Sequence, residues 1–102
     1  MFLIEIFLPL YDNAGERFPR ASFDAVRDEL TARFGGVTAF LRSPAVGLWQ
    51  DDAGVVRRDE IAIVEVMADT LDRDWWQAYR RTLEHRFRQD EIVVRAIRFD
   101  RL

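Results

Sequence analysis

Apolar residues recur along this chain either in nearly continuous runs or at the three-to-four-residue spacing of a helix. Residues 2–8 are apolar except for Glu5, and this pattern predicts a strand. Pro9 is expected to end the strand because proline has no N–H to donate to a sheet. Residues 11–20 are rich in Asp, Asn, Gly and Pro, which predicts a loop.

A helix is expected after this loop, with Ser22 as its N-terminal cap. Gly35–Gly36 supplies the left-handed conformation in which many helices end. The apolar positions between these signals recur at helical spacing and predict one buried stripe. They are Phe23, Val26, Leu30 and Phe34.

The middle of the chain predicts a long hairpin. Residues 37–42 and 46–50 are typical of one strand that is bent at Ser43–Pro44, where a bulge is expected. Residues 51–54, with the sequence Asp-Asp-Ala-Gly, predict a tight turn. Residues 55–68 then return as the second strand of the hairpin.

A second helix is expected to follow, capped by Asp72 or Thr70. Asp74 would lie in its first turn, where an acidic residue interacts favourably with the helix dipole. The predicted buried stripe of this helix consists of Trp76, Tyr79, Leu83 and Phe87. Residues 92–99 are expected to form the last strand.

The predicted order is strand, helix, strand, strand, helix, strand, in a single domain over residues 1–102. This order is the ferredoxin-like βαββαβ plan of α+β proteins. Right-handed crossovers place the first and third strands in the centre of a four-stranded antiparallel sheet. Both helices are then expected on one face of the sheet, which leaves the other face open.

The open face of the predicted sheet is too apolar to be exposed to water. Alternation along the strands turns Phe2, Ile4 and Ile6 toward the helices and every second residue away from them. A second copy of the chain is the simplest cover, because a two-fold interface needs one self-complementary patch. We therefore expect a homodimer joined through the open face. The side chains assigned to this face are Leu3, Glu5, Phe7, Thr38, Phe40, Arg42, Ile63, Glu65, Met67, Val93, Arg95, Ile97 and Phe99.

This layout resembles the dimeric α+β barrel superfamily, in which two ferredoxin-like units enclose a cavity between their sheets. A closer resemblance lies in Phe-Gly-Gly-Val-Thr at residues 34–38 and in the Gly-Leu-Trp and Asp-Asp-Ala-Gly segments of residues 47–60. These segments are similar to the central stretch of a small bacterial family of unknown function. This likeness implies a fold, and it implies no catalytic residues. Haem-binding barrel families need an axial ligand in the cavity, and this sequence offers none.

Glu5 and Glu65 are the candidate catalytic residues. They occupy corresponding positions of the two central strands, so their carboxylates are expected to lie close together among apolar residues. Two neighbouring carboxylates in such a site do not both ionise easily, and one could serve as a general acid or base. The alternative is structural, because Arg42 and Arg95 are expected on the same face and could form ion pairs with the two glutamates.

Candidate ligand-binding residues are Arg42, Arg95, Trp49 and Phe40. The two arginines would anchor polar groups, and the two aromatic residues could line a cavity between the sheets. Aromatic side chains also supply core and interface area in small domains, so packing is the alternative role for Trp49.

Two further side chains, His85 and Trp75, lie on the second predicted helix. His85, the single histidine, is expected to point to solvent and away from the sheet. Trp75 is expected at the edge of the second helix's stripe, where its role stays open between a contact with the hairpin and a contact with a partner.

Composition narrows the class of function. The chain has 18 acidic and 15 basic side chains and a net charge of -3, with arginine as the basic residue throughout. These arginines alternate with carboxylates, so we expect no nucleic-acid partner. The absence of cysteine excludes disulfides and thiolate chemistry. No sequence typical of a phosphate loop or a metal site occurs, and we expect neither a metal nor a cofactor.

The sequence also bears on location. No apolar run approaches the roughly 20 residues of a membrane span. The apolar start of the chain reaches Glu5 without a basic flank, which argues against a signal peptide. We therefore expect a soluble, cytoplasmic protein with no membrane partner.

Three hypotheses for function follow from these patterns. The first is a homodimeric domain whose intersheet cavity binds a small, mostly apolar molecule. The second is a cofactor-independent isomerase or monooxygenase of the dimeric barrel type that uses a glutamate base. The third is a purely structural or regulatory interaction domain.

Overall fold

The computed structural model describes the backbone of residues 1–36, 38–50 and 56–102 and the side chains of residues 1–36 and 60–102. It contains two helices and an antiparallel sheet, so the chain is an α+β protein. The elements in chain order are β1 (Phe2–Pro9), α1 (Arg20–Phe34), β2 (Thr38–Gln50), β3 (Val56–Ala68), α2 (Arg73–Arg86) and β4 (Val94–Arg98).

The strands lie in the order β2-β3-β1-β4, and each neighbouring pair is antiparallel. β1 and β3 therefore occupy the centre, as the sequence predicts. β1 pairs with β3 over its whole length, from Phe2 opposite Ala68 to Pro9 opposite Ile61. As a central strand, β1 has hydrogen-bonded neighbours along both of its edges.

The pairing of β2 with β3 is irregular where the sequence predicts a bulge. Leu41 lies opposite Ala62, and the next paired position is Val46 opposite Glu60. Five steps along β2 therefore correspond to two steps along β3, which requires extra residues on the β2 side. The turn expected at residues 51–54 lies outside the described residues.

α1 begins earlier than expected, and the prediction of Ser22 as its cap is wrong. The helix starts at Arg20, with Pro19 in the cap position and no side chain bonded to the exposed N–H groups. The ring of Pro19 fixes its φ at −63°, a value compatible with entry into a helix. Its carbonyl accepts the N–H of Ser22 at 3.0 Å, so Ser22 lies inside the first turn.

The end of α1 and the start of α2 agree with the sequence. Gly35 terminates α1 with φ 79°, a left-handed conformation that glycine adopts without strain. Asp72 caps α2, and its carboxylate accepts the N–H of Trp75 at 3.1 Å. Neither helix of the described ranges is both long and apolar enough to cross a membrane.

Both helices pack on one face of the sheet and share a single core with it. The stripes predicted for α1 and α2 contribute their buried members to this core. The sheet contributes the alternate residues of β1 and β3 that the sequence assigns to the helix side. The fully or nearly fully buried members include Ile4, Ile6, Leu8, Val26, Leu30, Val64, Val66, Trp76, Tyr79, Leu83 and Phe87.

β4 is shorter than expected, because residues 92–99 are not all in the ladder. Ile92 is 2% exposed, but it precedes the strand and its N–H donates to the carboxylate of Glu84 at 3.0 Å. The end of α2 therefore holds the backbone at Ile92, and pairing with β1 begins at Val94 opposite Ile6.

Candidate functional site

Four residues on four strands form one row across the sheet. Glu5 of β1 lies opposite Glu65 of β3 on one side and opposite Arg95 of β4 on the other. Glu65 in turn lies opposite Thr38 of β2. The structure thus places Glu5, Glu65 and Arg95 together, as strand alternation predicts. Directly opposite side chains in an antiparallel pair have Cβ atoms roughly 4.5–5.5 Å apart.

Glu5 and Arg95 form an ion pair on the open face, the side of the sheet away from both helices. Nε of Arg95 donates a hydrogen bond to Oε1 of Glu5 at 2.8 Å. The Arg95 guanidinium also lies over the ring of Phe7, 4.9 Å from its centroid. Glu5 is 7% exposed, so the pair places a nearly buried carboxylate in the middle of a central strand. The arginine compensates the charge that burial would otherwise penalise.

Glu65 differs from Glu5 in its surroundings. Its side chain is half-buried, and among the side chains of residues 1–36 and 60–102 no arginine forms an ion pair with it. A carboxylate in this position accepts hydrogen bonds but donates none when ionised. Glu65 can therefore bind hydroxyl or amino groups of a ligand, or take a proton from one.

The surroundings of this row are apolar, and several of these side chains are exposed. In the next row of the sheet, Leu3 lies between Met67 and Ile97, which are 53% and 44% exposed. Val93, which precedes β4, is 45% exposed. The expectation that the whole face is bare is wrong at Ile63, which is 4% exposed within one chain. Among the described side chains of this face, the exposed apolar surface is thus concentrated on the row of Leu3 and along β4.

Three candidate residues cannot be placed in this site by their side chains. The side chains of Phe40, Arg42 and Trp49 lie outside the described part of the chain. The backbone register sets Phe40 opposite Ile63, whose side chain belongs to the open face by alternation. The proposed pairing of Arg42 with a glutamate therefore stays a prediction.

His85 is exposed at the end of α2, as the sequence predicts. Trp75 has a role in packing that the sequence leaves open. Its ring stacks on Tyr79 with a centroid separation of 4.9 Å and meets the ring of Phe34 edge-on at 5.4 Å. The guanidinium of Arg33 lies over Trp75 at 4.3 Å from the centroid. Trp75 therefore ties α2 to the end of α1.

One polar network was not predicted from the sequence. Glu29 of α1 accepts hydrogen bonds from both terminal nitrogens of Arg86 of α2, with 2.9 Å between Nη2 and Oε2, and a third from the Tyr79 hydroxyl at 3.1 Å. The hydrogen bonds from Arg86 lower the pKa of Glu29, and those to Glu29 raise the pKa of Arg86. Burial raises the pKa of Tyr79. This network joins the helices on the side away from the open face.

Metal-binding groups do not converge in the described part of the chain. Within it, no three residues among His, Asp and Glu are close enough to hold one ion. The chemistry available in the Glu5 row is therefore that of carboxylates and a guanidinium: ion pairing, hydrogen bonding and proton transfer.

Comparison with known proteins gives a likeness of fold. No family model matches the chain, and no curated protein matches it. A solved structure that resembles it is described as a phage SAM lyase in complex with S-methyl-5'-thioadenosine, with a TM-score of 0.61 and 15% sequence identity. The match covers 94% of this chain and 79% of that chain. At this identity the two proteins share a small α+β fold.

Proposed function

We propose that the chain is a ferredoxin-like domain that forms a homodimer through the open face and encloses a small, mostly apolar molecule between the two sheets. The observation that carries this proposal is the row of Glu5, Glu65 and Arg95. This row places charged groups at the centre of the open face. The apolar side chains of Met67 and Ile97, in the neighbouring row, are exposed.

Exposed apolar side chains on the open face support a dimer. Met67, Leu3 and Ile97 are neighbours on three adjacent strands, so their side chains form one continuous strip. Contiguous apolar surface on a protein commonly marks a site of association. A two-fold arrangement would cover this strip with the same strip of a second copy.

A difference between the two glutamates supports a ligand. The charge of Glu5 is already compensated by Arg95, so this side chain would line the cavity without binding the ligand's polar groups. Glu65 would be the acceptor for ligand hydroxyl or amino groups. The neighbouring side chains of Leu3 and Phe7, which are partly exposed, would contact the apolar part.

A nucleoside thioether is the first ligand to test. The structurally similar phage SAM lyase is described in complex with S-methyl-5'-thioadenosine. Such a molecule combines hydroxyl and amino donors, which suit a carboxylate such as Glu65, with an apolar methylthio group and a flat base. These features match the mixed character of the open face.

The alternative function is catalytic. A half-buried carboxylate beside a compensated ion pair suits a general base, and Glu65 is favoured for this role over Glu5 because Arg95 occupies Glu5. The domain would then be a cofactor-independent enzyme, an isomerase or monooxygenase by its resemblance to dimeric barrels. The remaining alternative is a purely structural or regulatory interaction domain.

The dimer is tested by the mass in solution. Light scattering at micromolar concentration should give twice 12.0 kDa for the wild-type chain. Met67→Lys and Ile97→Lys should give the monomer mass with an unchanged circular dichroism spectrum, because each buries a charge in the interface. His85→Lys, an exposed change on α2, is the matched control and should stay dimeric. A wild-type monomer would overturn the dimer.

The ligand is tested by calorimetric titration with S-methyl-5'-thioadenosine and by mass spectrometry of molecules retained on purification. Saturable binding that Glu65→Gln weakens at least about tenfold, with the dimer intact, would support the proposal. The absence of both binding and retained molecules in a confirmed dimer would leave the structural alternative. Conversion of SAM by the wild type but not by Glu65→Gln would instead favour the enzyme.

A further inference from the structure

A second recess lies on the other side of the sheet, between α2 and the edge strand β4. We refer to it as the α2–β4 groove; its volume is about 210 Å³. Its apolar lining includes Ile4, Trp76 and Val94, and its polar lining includes Arg73, Gln77 and Arg80. Ile4 and Trp76 are buried core residues. The groove thus has a floor of core side chains and a rim of guanidinium and amide groups.

The polar rim comes from one face of α2. Positions 73, 77 and 80 follow one another at the four- and three-residue spacings that bring helical side chains to the same side. Trp76 lies on the same side and connects this rim to the core. Within the described part of the groove lining there is no Asp or Glu. Three arginines therefore line the groove: Arg95 is paired with Glu5, and Arg73 and Arg80 have no acidic neighbour in its wall.

Arg80 shows the clearest sign of a missing partner. Its Nε is buried and has no hydrogen-bond partner among the described residues. A buried donor without an acceptor destabilises a protein, and native structures seldom leave a donor atom in this condition. An acceptor oxygen in the groove would satisfy it, and a guanidinium binds the two oxygens of a carboxylate or phosphate side by side.

Arg73 is placed where a helix does not favour a cation. It is the first residue of α2, and the N-terminal end of a helix carries a partial positive charge. An anion bound between Arg73 and Arg80 would relieve this repulsion. The charge of the rim and the position of its arginines on α2 thus favour the same kind of occupant.

We propose that the α2–β4 groove binds a small molecule with an oxyanion group and an apolar body. The oxyanion, a carboxylate or a phosphate, lies against Arg80 and Arg73, and the apolar body lies on Trp76 and Ile4. The volume of about 210 Å³ is below the roughly 300–1,000 Å³ of pockets for drug-sized ligands, so the ligand is the size of a single substituted ring. The groove lies on the helix side of the sheet, and it shares one lining residue with the open face, because Arg95 also pairs with Glu5.

The test uses probes that differ in one property at a time. Benzoate and phenyl phosphate carry an oxyanion on a ring, benzamide carries the ring without the charge, and inorganic phosphate carries the charge without the ring. Calorimetric titration should show saturable binding of benzoate or phenyl phosphate at least about tenfold tighter than of benzamide and of inorganic phosphate. The tighter of the two charged probes identifies the oxyanion. Equal binding of all four, or binding of none, would overturn the proposal.

Variants on α2 assign the binding to the groove. Arg80→Gln should lower the affinity for benzoate or phenyl phosphate at least about tenfold. Arg73→Gln, at an exposed position, should also lower this affinity and should not affect folding. Arg81→Gln, which removes the same charge from the exposed neighbouring position, is the control and should leave the affinity unchanged. Equal effects of the variants at 73 and 81 would show that net charge alone attracts the probes. Binding of an acidic peptide along β4 with no binding of the small probes would also overturn the proposal.

Discussion

Glu5 and Arg95 share one hydrogen bond but not one environment: the carboxylate side chain is 9% exposed and the guanidinium side chain is 54% exposed. The two halves of the pair therefore depend on each other unequally. Without Arg95, a nearly buried carboxylate would lose its compensating charge. Without Glu5, the arginine could be solvated by water.

The asymmetry predicts unequal effects of single substitutions. Arg95→Met should lower the free energy of unfolding by about 1–3 kcal/mol, because it leaves the Glu5 carboxylate unpaired. Glu5→Leu should cost less than about 1 kcal/mol, and the double variant should be close to Glu5→Leu alone. Urea unfolding at one fixed protein concentration measures all three. A larger loss for Glu5→Leu than for Arg95→Met would contradict the burial argument.

The ion pair between Glu29 of α1 and Arg86 of α2 predicts that the stability of the protein depends on pH. The pKa of Glu29 lies below its usual 4.5 in the folded protein because of the hydrogen bonds from Arg86. The unfolded chain therefore takes up this proton at higher pH than the folded chain does. The stabilisation is complete above the usual pKa and is lost as the pH falls through the lowered one.

Glu29→Gln should remove this dependence. At neutral pH the variant should be less stable by under about 1 kcal/mol, a small effect because the Glu29 side chain is 44% exposed. Well below pH 4.5 the two proteins should unfold at the same urea concentration. Asp28→Asn, a change at the neighbouring exposed carboxylate, should leave the acid limb of the curve as in the wild type. A constant difference at all pH values would rule out the ionic origin.

Sequence patterns predicted the central part of this fold because they depend on local spacing. Glu5 interrupts an apolar strand, and Glu65 interrupts another at the matching position. Once the strand order is known, alternation alone brings them to one face. The register confirms this neighbourhood of Glu5, Glu65 and Arg95. Whether Glu65 acts on a ligand stays a proposal, because spacing cannot state what a side chain contacts.

Other features could not be predicted, because they depend on how distant elements pack. Glu29 and Arg86 are 57 positions apart and meet only after both helices dock on the sheet. The α2–β4 groove depends equally on the distance between a helix and an edge strand. At the start of α1, the sequence predicts Ser22 as the cap, whereas Pro19 occupies that position in the structure. The conformation of Pro19 determined the outcome, and no side chain was needed as a cap.

Substitution of Asp72 tests its role as the N-terminal cap of α2. Asp72→Ala should lower stability by about 1 kcal/mol, because the N–H of Trp75 loses its acceptor. Asp72→Asn keeps a side-chain oxygen as acceptor, so its loss of stability should be only a few tenths of the loss for Asp72→Ala. Asp72 also faces Arg33 at 3.6 Å, but both side chains are well exposed and this contact should contribute little. Equal losses for Ala and Asn would show that the charge, and not the cap, stabilises this end.

The end of α2 distinguishes a core residue from its exposed neighbour. Phe87 is 0% exposed and meets the ring of Phe18 edge-on at 5.1 Å and that of Phe23 at 5.6 Å. Phe87→Ala should therefore cost about 3–5 kcal/mol, as removal of a buried ring leaves a cavity under the loop before α1. His85→Ala, two residues earlier and exposed, should change the free energy of unfolding by no more than about 0.5 kcal/mol. Thermal and urea unfolding measure both variants. A large loss at His85 would show that the histidine has a contact beyond one folded chain, and a small loss at Phe87 would show that the two rings do not hold this loop.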